Sequence, residues 1–334
     1  MKKIALWGIC FTTLLSSCTP APDLASDAVS DAVTGPVARR ELPRPPGAEL
    51  DPPGVEPEEG FVQDAKAFQW PGSLQPGSEA DRDGPHMRRI RERGRLIVGV
   101  DQSQYLLSYR DATRGDLRGF EVDLAHEIAS DMFGDPDTVD FRFVDSASRT
   151  NALQSGDVDI VIRTMSITPE RVKVIDFSTP YLNSYVRVLV PRDRGVQSVD
   201  DLPGKTICVA DGTNVMNLVR ERFGQSAVLR TRSWSDCLMA LQQFQADAVV
   251  GDDSVLAGMV AQDPLAQIFS DRLASQRYAV GVPKGHDDVV RQVNSTIERI
   301  RSDGTWNAMY NEWLKRSLSE SWLPRQTYRE EEDS

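Results

Sequence analysis

Two arginines occupy positions where helix electrostatics disfavours a cation. Thr168-Pro169-Glu170-Arg171 supplies a hydroxyl N-cap, proline at the first helical position and an acid next, which together predict a helix start. Arg171 then falls in the first turn, where the positive end of the helix dipole favours anions. Ser146-Ala147-Ser148-Arg149 repeats the pattern. With Ser146 as cap, Arg149 also lands in a first turn, of a helix expected to end at Gly156. Departures from local rules concentrate at functional sites. Helix N–H groups beside a planar guanidinium form a receptor for a carboxylate, the guanidinium fork supplying two parallel donors. Taken singly, each arginine reads equally well as a solvated surface residue; their repetition after a strand favours the receptor.

A complementary charge follows further along the chain. Asp252 and Asp253 come directly after Val250-Gly251, at the carboxyl end of a strand, where α/β sheets bind their ligands. A carboxylate there suits an ammonium; the alternative is a helix cap for Ser254 onward, and one aspartate of the pair can serve each purpose. Asp211-Gly212-Thr213-Asn214 ends the strand Thr206–Ala210, with glycine for close backbone approach and Thr213 or Asn214 as cap. It reads either as a further donor to an anion or as an ordinary loop of an α/β unit. Together these positions describe a receptor for a zwitterion.

Catalytic sets are missing from the sequence. The three histidines, His86, His126 and His286, are dispersed, and His126-Glu127 lacks the second histidine of a zinc-protease helix. No nucleophile elbow or phosphate-binding loop is present, so neither an enzyme nor a cofactor or metal is expected. The net charge of −12 argues against nucleic acid, which requires a basic face.

The elements that must hold these residues alternate as strands and helices, the grammar of an α/β architecture with mainly parallel sheets. Leu96–Val100 and Asp159–Ile162 read as buried strands, Val139–Phe143 as a half-exposed one, and Gly119 opens an amphipathic helix closed by Gly134. The grammar restarts with Thr206–Ala210, the helix Ser233–Gln242 and Ala248–Val250, so two similar lobes are expected. Residues 1–17 read as an export signal, with Lys2 and Lys3 before the apolar run Ile4–Leu15. Leu15-Ser16-Ser17-Cys18 resembles the bacterial lipobox, which makes Cys18 the lipidated first residue of an extracytoplasmic protein anchored in the cell membrane. Residues 18–85 are rich in Pro, Gly and acids and are expected to form a disordered tether; 325–334 read as a disordered acidic tail. Of the four cysteines, Cys10 and Cys18 fall at the start, and Cys208 and Cys237 most simply form one bridge in an exported protein.

The run Gly119-Phe120-Glu121-Val122-Asp123-Leu124, with Ile128 and Ala129 in the next turn, resembles the signature of the bacterial extracellular solute-binding proteins of family 3, in the polar amino-acid branch that includes glutamine-binding proteins. Thr164-Met165-Ser166-Ile167-Thr168-Pro169-Glu170-Arg171, followed by Ile175-Asp176-Phe177-Ser178 and Pro180-Tyr181, is similar to that family's binding loop. The resemblance implies a type II periplasmic-binding-protein fold, with lobe 1 formed by 86–183 and 280–324 and lobe 2 by 184–279. Two hinge crossovers near Tyr181–Tyr185 and Gln276–Val280 would let the lobes close on a ligand. It further implies that Arg171 and the backbone of Ser166 hold an α-carboxylate with help from Thr213, that Thr164 and Asp252 take the α-ammonium, and that Asp101 belongs to the ligand-binding set.

Gln104 and Ser146 stand where glutamine-binding members carry aromatics, whereas Arg149 matches an arginine of aspartate- and glutamate-binding members. Aspartate or glutamate is therefore the expected ligand. Asparagine and glutamine remain open, because Asn214 and Gln104 offer amide partners. A monomer delivering its ligand to an ABC permease, or reporting it to a membrane sensor, is expected. The alternative is an enzyme on the same fold, of dehydratase or murein-cleaving type, with Asp253 or Glu170 as its acid or base.

Overall fold

The apolar runs form two sheets, and the helices between them supply the covering layers that parallel strands require. The computed structural model describes residues 43–58, 68–318 and 323–331; the expected signal segment and Cys18 lie outside the described residues. The first sheet has the order Val139–Phe143, Leu96–Val100, Ile160–Val161, Gly281–Pro283, Ile175–Phe177. Its first three strands are parallel, and Gly281–Pro283 joins antiparallel to its neighbours. Every residue of Leu96–Val100 is buried, as a central strand covered on both faces must be. The helix Phe120–Phe133 packs Phe120, Leu124, Ala125 and Ile128 into this core and ends at Gly134, whose φ of 74° provides the left-handed cap.

The second sheet runs Glu49–Asp51, Ala227–Thr231, Thr206–Ala210, Ala248–Asp252, Leu182–Pro191, Ala266–Ile268, with Ala274–Tyr278 also pairing to Leu182–Pro191. Thr206–Ala210 is parallel to both neighbours, Ala227–Thr231 and Ala248–Asp252. A disulfide joins Cys208 on this sheet to Cys237 on the covering helix Trp234–Gln242. The chain passes between the sheets at two adjacent points. The Tyr181 N–H donates to the Tyr278 carbonyl at 2.9 Å and the Ser178 N–H to that of Val280 at 3.0 Å. The crossovers thus lie side by side, the arrangement of a two-stranded hinge, and the molecule has the type II periplasmic-binding-protein fold.

Two expectations from composition are corrected. Residues 43–58 are not a structureless tether: Glu49–Asp51 adds an antiparallel edge strand to Ala227–Thr231. Pairing of main-chain groups, which composition does not report, supplies the stabilisation. Asp51 also accepts from Arg220 at 2.7 Å and Arg230 at 3.0 Å. Residues 68–85 likewise pack on the first lobe, where Ser73 Oγ donates to the Phe177 carbonyl and the Asn294 side chain donates to Ser73 Oγ, both at 2.7 Å. The described part of the acidic tail is ordered as well, since Tyr328 bridges to Ser73 and Glu331 pairs with Arg291 at 2.7 Å.

Candidate functional site

Glu121 organises the loop that carries most of the predicted site. It sits at the start of the helix Phe120–Phe133 with no exposed surface. Its Oε1 accepts from the Thr164 N–H and the Tyr181 hydroxyl, each at 2.6 Å. These bonds hold Thr164 at a φ of 41°, a left-handed conformation that a β-branched residue adopts only under constraint. Burial pushes the Glu121 carboxyl above its ordinary range, against the pull of these donors.

The loop then delivers Arg171. Thr168 caps the helix Pro169–Val174 as expected, its hydroxyl accepting from the Arg171 N–H at 3.4 Å. The Arg171 guanidinium donates to the Ser166 carbonyl at 2.9 Å and to the Gly212 carbonyl, from the other lobe, at 3.4 Å. Arg149 reaches the same place from the helix Arg149–Gln154. It donates to the carbonyls of Ser146, Arg163, Thr164 and Gly212 at 2.9, 3.1, 3.2 and 3.3 Å. Burial and the neighbouring charges of Arg171 and Arg163 hold the Arg149 guanidinium well below its ordinary pKa, and burial brings Arg171 down to about 10. The cap assigned to Ser146 is corrected: Ser148 occupies the N-cap position, and the Ser146 hydroxyl instead accepts from Arg163 at 2.6 Å.

Asp252 closes the second lobe's contribution. One of its oxygens accepts from the Tyr278 hydroxyl at 2.6 Å, and Oδ1 is buried without a partner. Burial drives its pKa up to about 7 even though Tyr278, Arg149 and Arg171 favour the charged form. Asp253 is turned away, accepting from the Ser184 hydroxyl at 2.6 Å and the Tyr185 N–H at 3.1 Å. Gln104 is buried, and neither atom of its amide has a partner. Buried polar atoms are nearly always satisfied, so the orphaned Gln104 amide and Asp252 Oδ1 mark places where a polar ligand would complete the structure.

Other predicted positions make local bonds. Thr213 donates its hydroxyl to the Ala210 carbonyl at 2.7 Å, and the Asn214 amide donates to the Gln276 side chain at 3.1 Å. Both line a cavity of about 340 Å³ between the lobes, together with Thr168, Arg171 and Gly212. Both oxygens of Asp101 have protein partners: the Ser103 N–H and hydroxyl at 2.7 Å on one side and the Arg163 guanidinium on the other. Arg163 and Tyr278 were not anticipated. The signal for Arg163 was a charge placed directly after the buried run Ile160-Val161-Ile162. Tyr278 offered none, since its partner Asp252 is distant in sequence. Of the two acid–base candidates of the enzyme reading, Asp253 is bonded to the hinge strand and Glu170 is exposed.

The chain is similar to known proteins in sequence and fold. The ABC transporter glutamine-binding protein GlnH of Bacillus subtilis is 28% identical over 252 residues, covering 75% of this chain and 92% of that protein. A glutamine-binding protein of Geobacillus stearothermophilus is 31% identical over 211 residues, 63% of this chain and 80% of the relative. Among solved structures, the solute receptor for L-cysteine of Neisseria gonorrhoeae superposes with a TM-score of 0.66 at 26% identity, over 69% of this chain and 94% of the receptor. By name, these relatives are binding proteins or receptors for amino acids. Residues 96–316 match the model of the bacterial extracellular solute-binding proteins, family 3, and with two lobes and paired crossovers in place the chain belongs to that family.

Proposed function

We propose that this protein captures an acidic amino acid, aspartate or glutamate, between its lobes and presents it to an ABC permease or a membrane sensor. One observation carries the choice of ligand. Arg149 and Arg171 converge in the cleft and, among the described residues, neither has a carboxylate within ion-pair distance. Asp252 is the one buried carboxylate, among the described residues, with an oxygen left unpartnered. Two cations and one anion are the mirror image of an amino acid with a second carboxylate. Buried charges demand such pairing. In this reading Arg171 and the Ser166 segment take the α-carboxylate, Asp252 and Thr164 the ammonium, and Arg149 the side-chain carboxylate, with Thr213 and Asn214 closing from the second lobe. The Gln104 amide favours a second reading, an amide ligand such as glutamine or asparagine, in keeping with the ligands named for the Bacillus and Geobacillus relatives.

Calorimetric titration of the wild type and Arg149→Met with aspartate, glutamate, asparagine and glutamine separates the two. The acids are expected to bind best, and the variant to lose them on the order of 30-fold or more while amides lose far less. A wild type that prefers glutamine, or equal losses for acids and amides, would remove Arg149 as the selector. No helix among the described residues is long and apolar enough to cross a membrane, and membrane attachment is assigned to lipid on Cys18. Membrane fractionation of Cys18→Ala is expected to find the protein detached.

A further inference from the structure

We infer that Arg163 is a specificity-determining residue, which by neutralising Asp101 keeps the cleft selective for an anionic over a cationic ligand side chain. The inference rests on the acidic-ligand reading above. Asp101 directly follows the strand Leu96–Val100 at its carboxyl end, and both Asp101 and Arg163 have no solvent exposure. Arg163 donates to Asp101 Oδ2 and, at 2.6 Å, to the hydroxyl of Ser146. Its own carbonyl accepts from Arg149 at 3.1 Å. The pair is therefore bonded directly to the loop and the guanidinium that face the ligand, three residues before the unpartnered Gln104 amide.

Charge decides what the pair does. Alone, a carboxylate at Asp101 would add a negative charge to a low-dielectric site, where such fields are strong. It would offset one of the two free arginines, attract an ammonium or guanidinium side chain and oppose a carboxylate. With Arg163 in place Asp101 contributes a dipole and no net charge, so Arg149 and Arg171 retain their excess over Asp252.

The test is the affinity ratio of glutamate to arginine, measured by calorimetry for wild type, Arg163→Met, Asp101→Asn and the double variant, with thermal melts to establish folding. Arg163→Met is expected to move the ratio on the order of tenfold or more towards arginine. Asp101→Asn, which leaves the positive charge alone, moves it towards glutamate, and the double variant returns it close to the wild-type value. A purely structural role would lower all ligands by similar factors in every variant, and that result overturns the inference. If Arg163→Met does not fold, Asp101→Asn decides: an unchanged ratio overturns the inference and a shift towards glutamate supports it. Wild type preferring glutamine would defeat the acidic-ligand reading alone, because opposite shifts in the two single variants would still identify Arg163 as the charge-setting residue.

Discussion

Arg149 and Arg171, from different helices of one lobe, donate to the same oxygen, the Gly212 carbonyl of the other lobe, at 3.3 and 3.4 Å. Two like charges sharing one neutral acceptor are mutually unfavourable; burial lowers the pKa of both guanidiniums, and for Arg149 the neighbouring charges of Arg171 and Arg163 lower it further. A carboxylate is a stronger acceptor than a carbonyl and cancels charge as well. Under the proposed function, lobe closure is tied to the arrival of an anion, because the groups proposed to bind it are the groups that bridge the lobes.

Gly212 itself is the point of closest approach. Its φ is +68°, and a Cβ there would lie 2.4 Å from the Ala147 Cα of the opposing lobe. Gly212→Ala should cost about 1 to 2 kcal/mol of backbone strain in either state, but the collision with Ala147 occurs only when the lobes close. Glutamate affinity is therefore expected to fall on the order of 100-fold, with loss of ligand-induced compaction in small-angle scattering. Near-normal affinity would show that closure does not require this contact.

The N-terminal edge strand makes a separate prediction. Asp51 is largely buried between Arg220 and Arg230, and its removal leaves two partly buried guanidiniums without their main acceptor. Asp51→Ala should lower stability by about 1 to 3 kcal/mol, read as a reduced urea midpoint. A midpoint equal to wild type would mean that the strand is not part of the folded lobe.

The disulfide spans a sequence separation of 29 residues within one lobe. Closing a loop of that length reduces the entropy of the unfolded chain by about 3 to 4 kcal/mol in free-energy terms. Cys208→Ala with Cys237→Ala is expected to lose that much stability while keeping the order of ligand preference, because neither cysteine lies at the cleft residues. A changed preference would show that the bridge also shapes the site.

How far the sequence foretold this site depends on whether each group is paired locally. Thr168, Pro169 and Arg171 lie within one helix start, so their arrangement could be read directly, and the cap is as expected. Arg149 was found by the same rule, although its helix begins at Ser148 and not at Ser146. The pairing of Asp101 with Arg163 was not legible because the two lie 62 residues apart, a separation at which no periodicity links two residues. The ordered N-terminal stretch was missed for a related reason: Leu50 between two acids looks like linker until an open strand edge is available to pair with it.

Asp252 gives the site a dependence on pH whose sign follows from its burial. Its carboxyl is pushed up to about 7 from 3.8. The folded protein therefore keeps a proton that the unfolded chain has released, and ligand-free stability should fall as pH rises from about 4 to about 7, by at most about 4 kcal/mol. Ligand binding runs the other way. An α-ammonium stabilises the ionised carboxylate, so below pH 7 binding must expel the Asp252 proton. Between about pH 5.5 and 7 glutamate affinity should rise by up to about tenfold per unit, and level off above 8. Calorimetry in buffers of different ionisation enthalpy should show nearly one proton released per ligand at pH 6 and almost none at pH 8.5. Asp252→Asn should bind weakly with a flat profile. Proton uptake in place of release, or a wild-type affinity constant from pH 5.5 to 8.5, would remove Asp252 from the ammonium site.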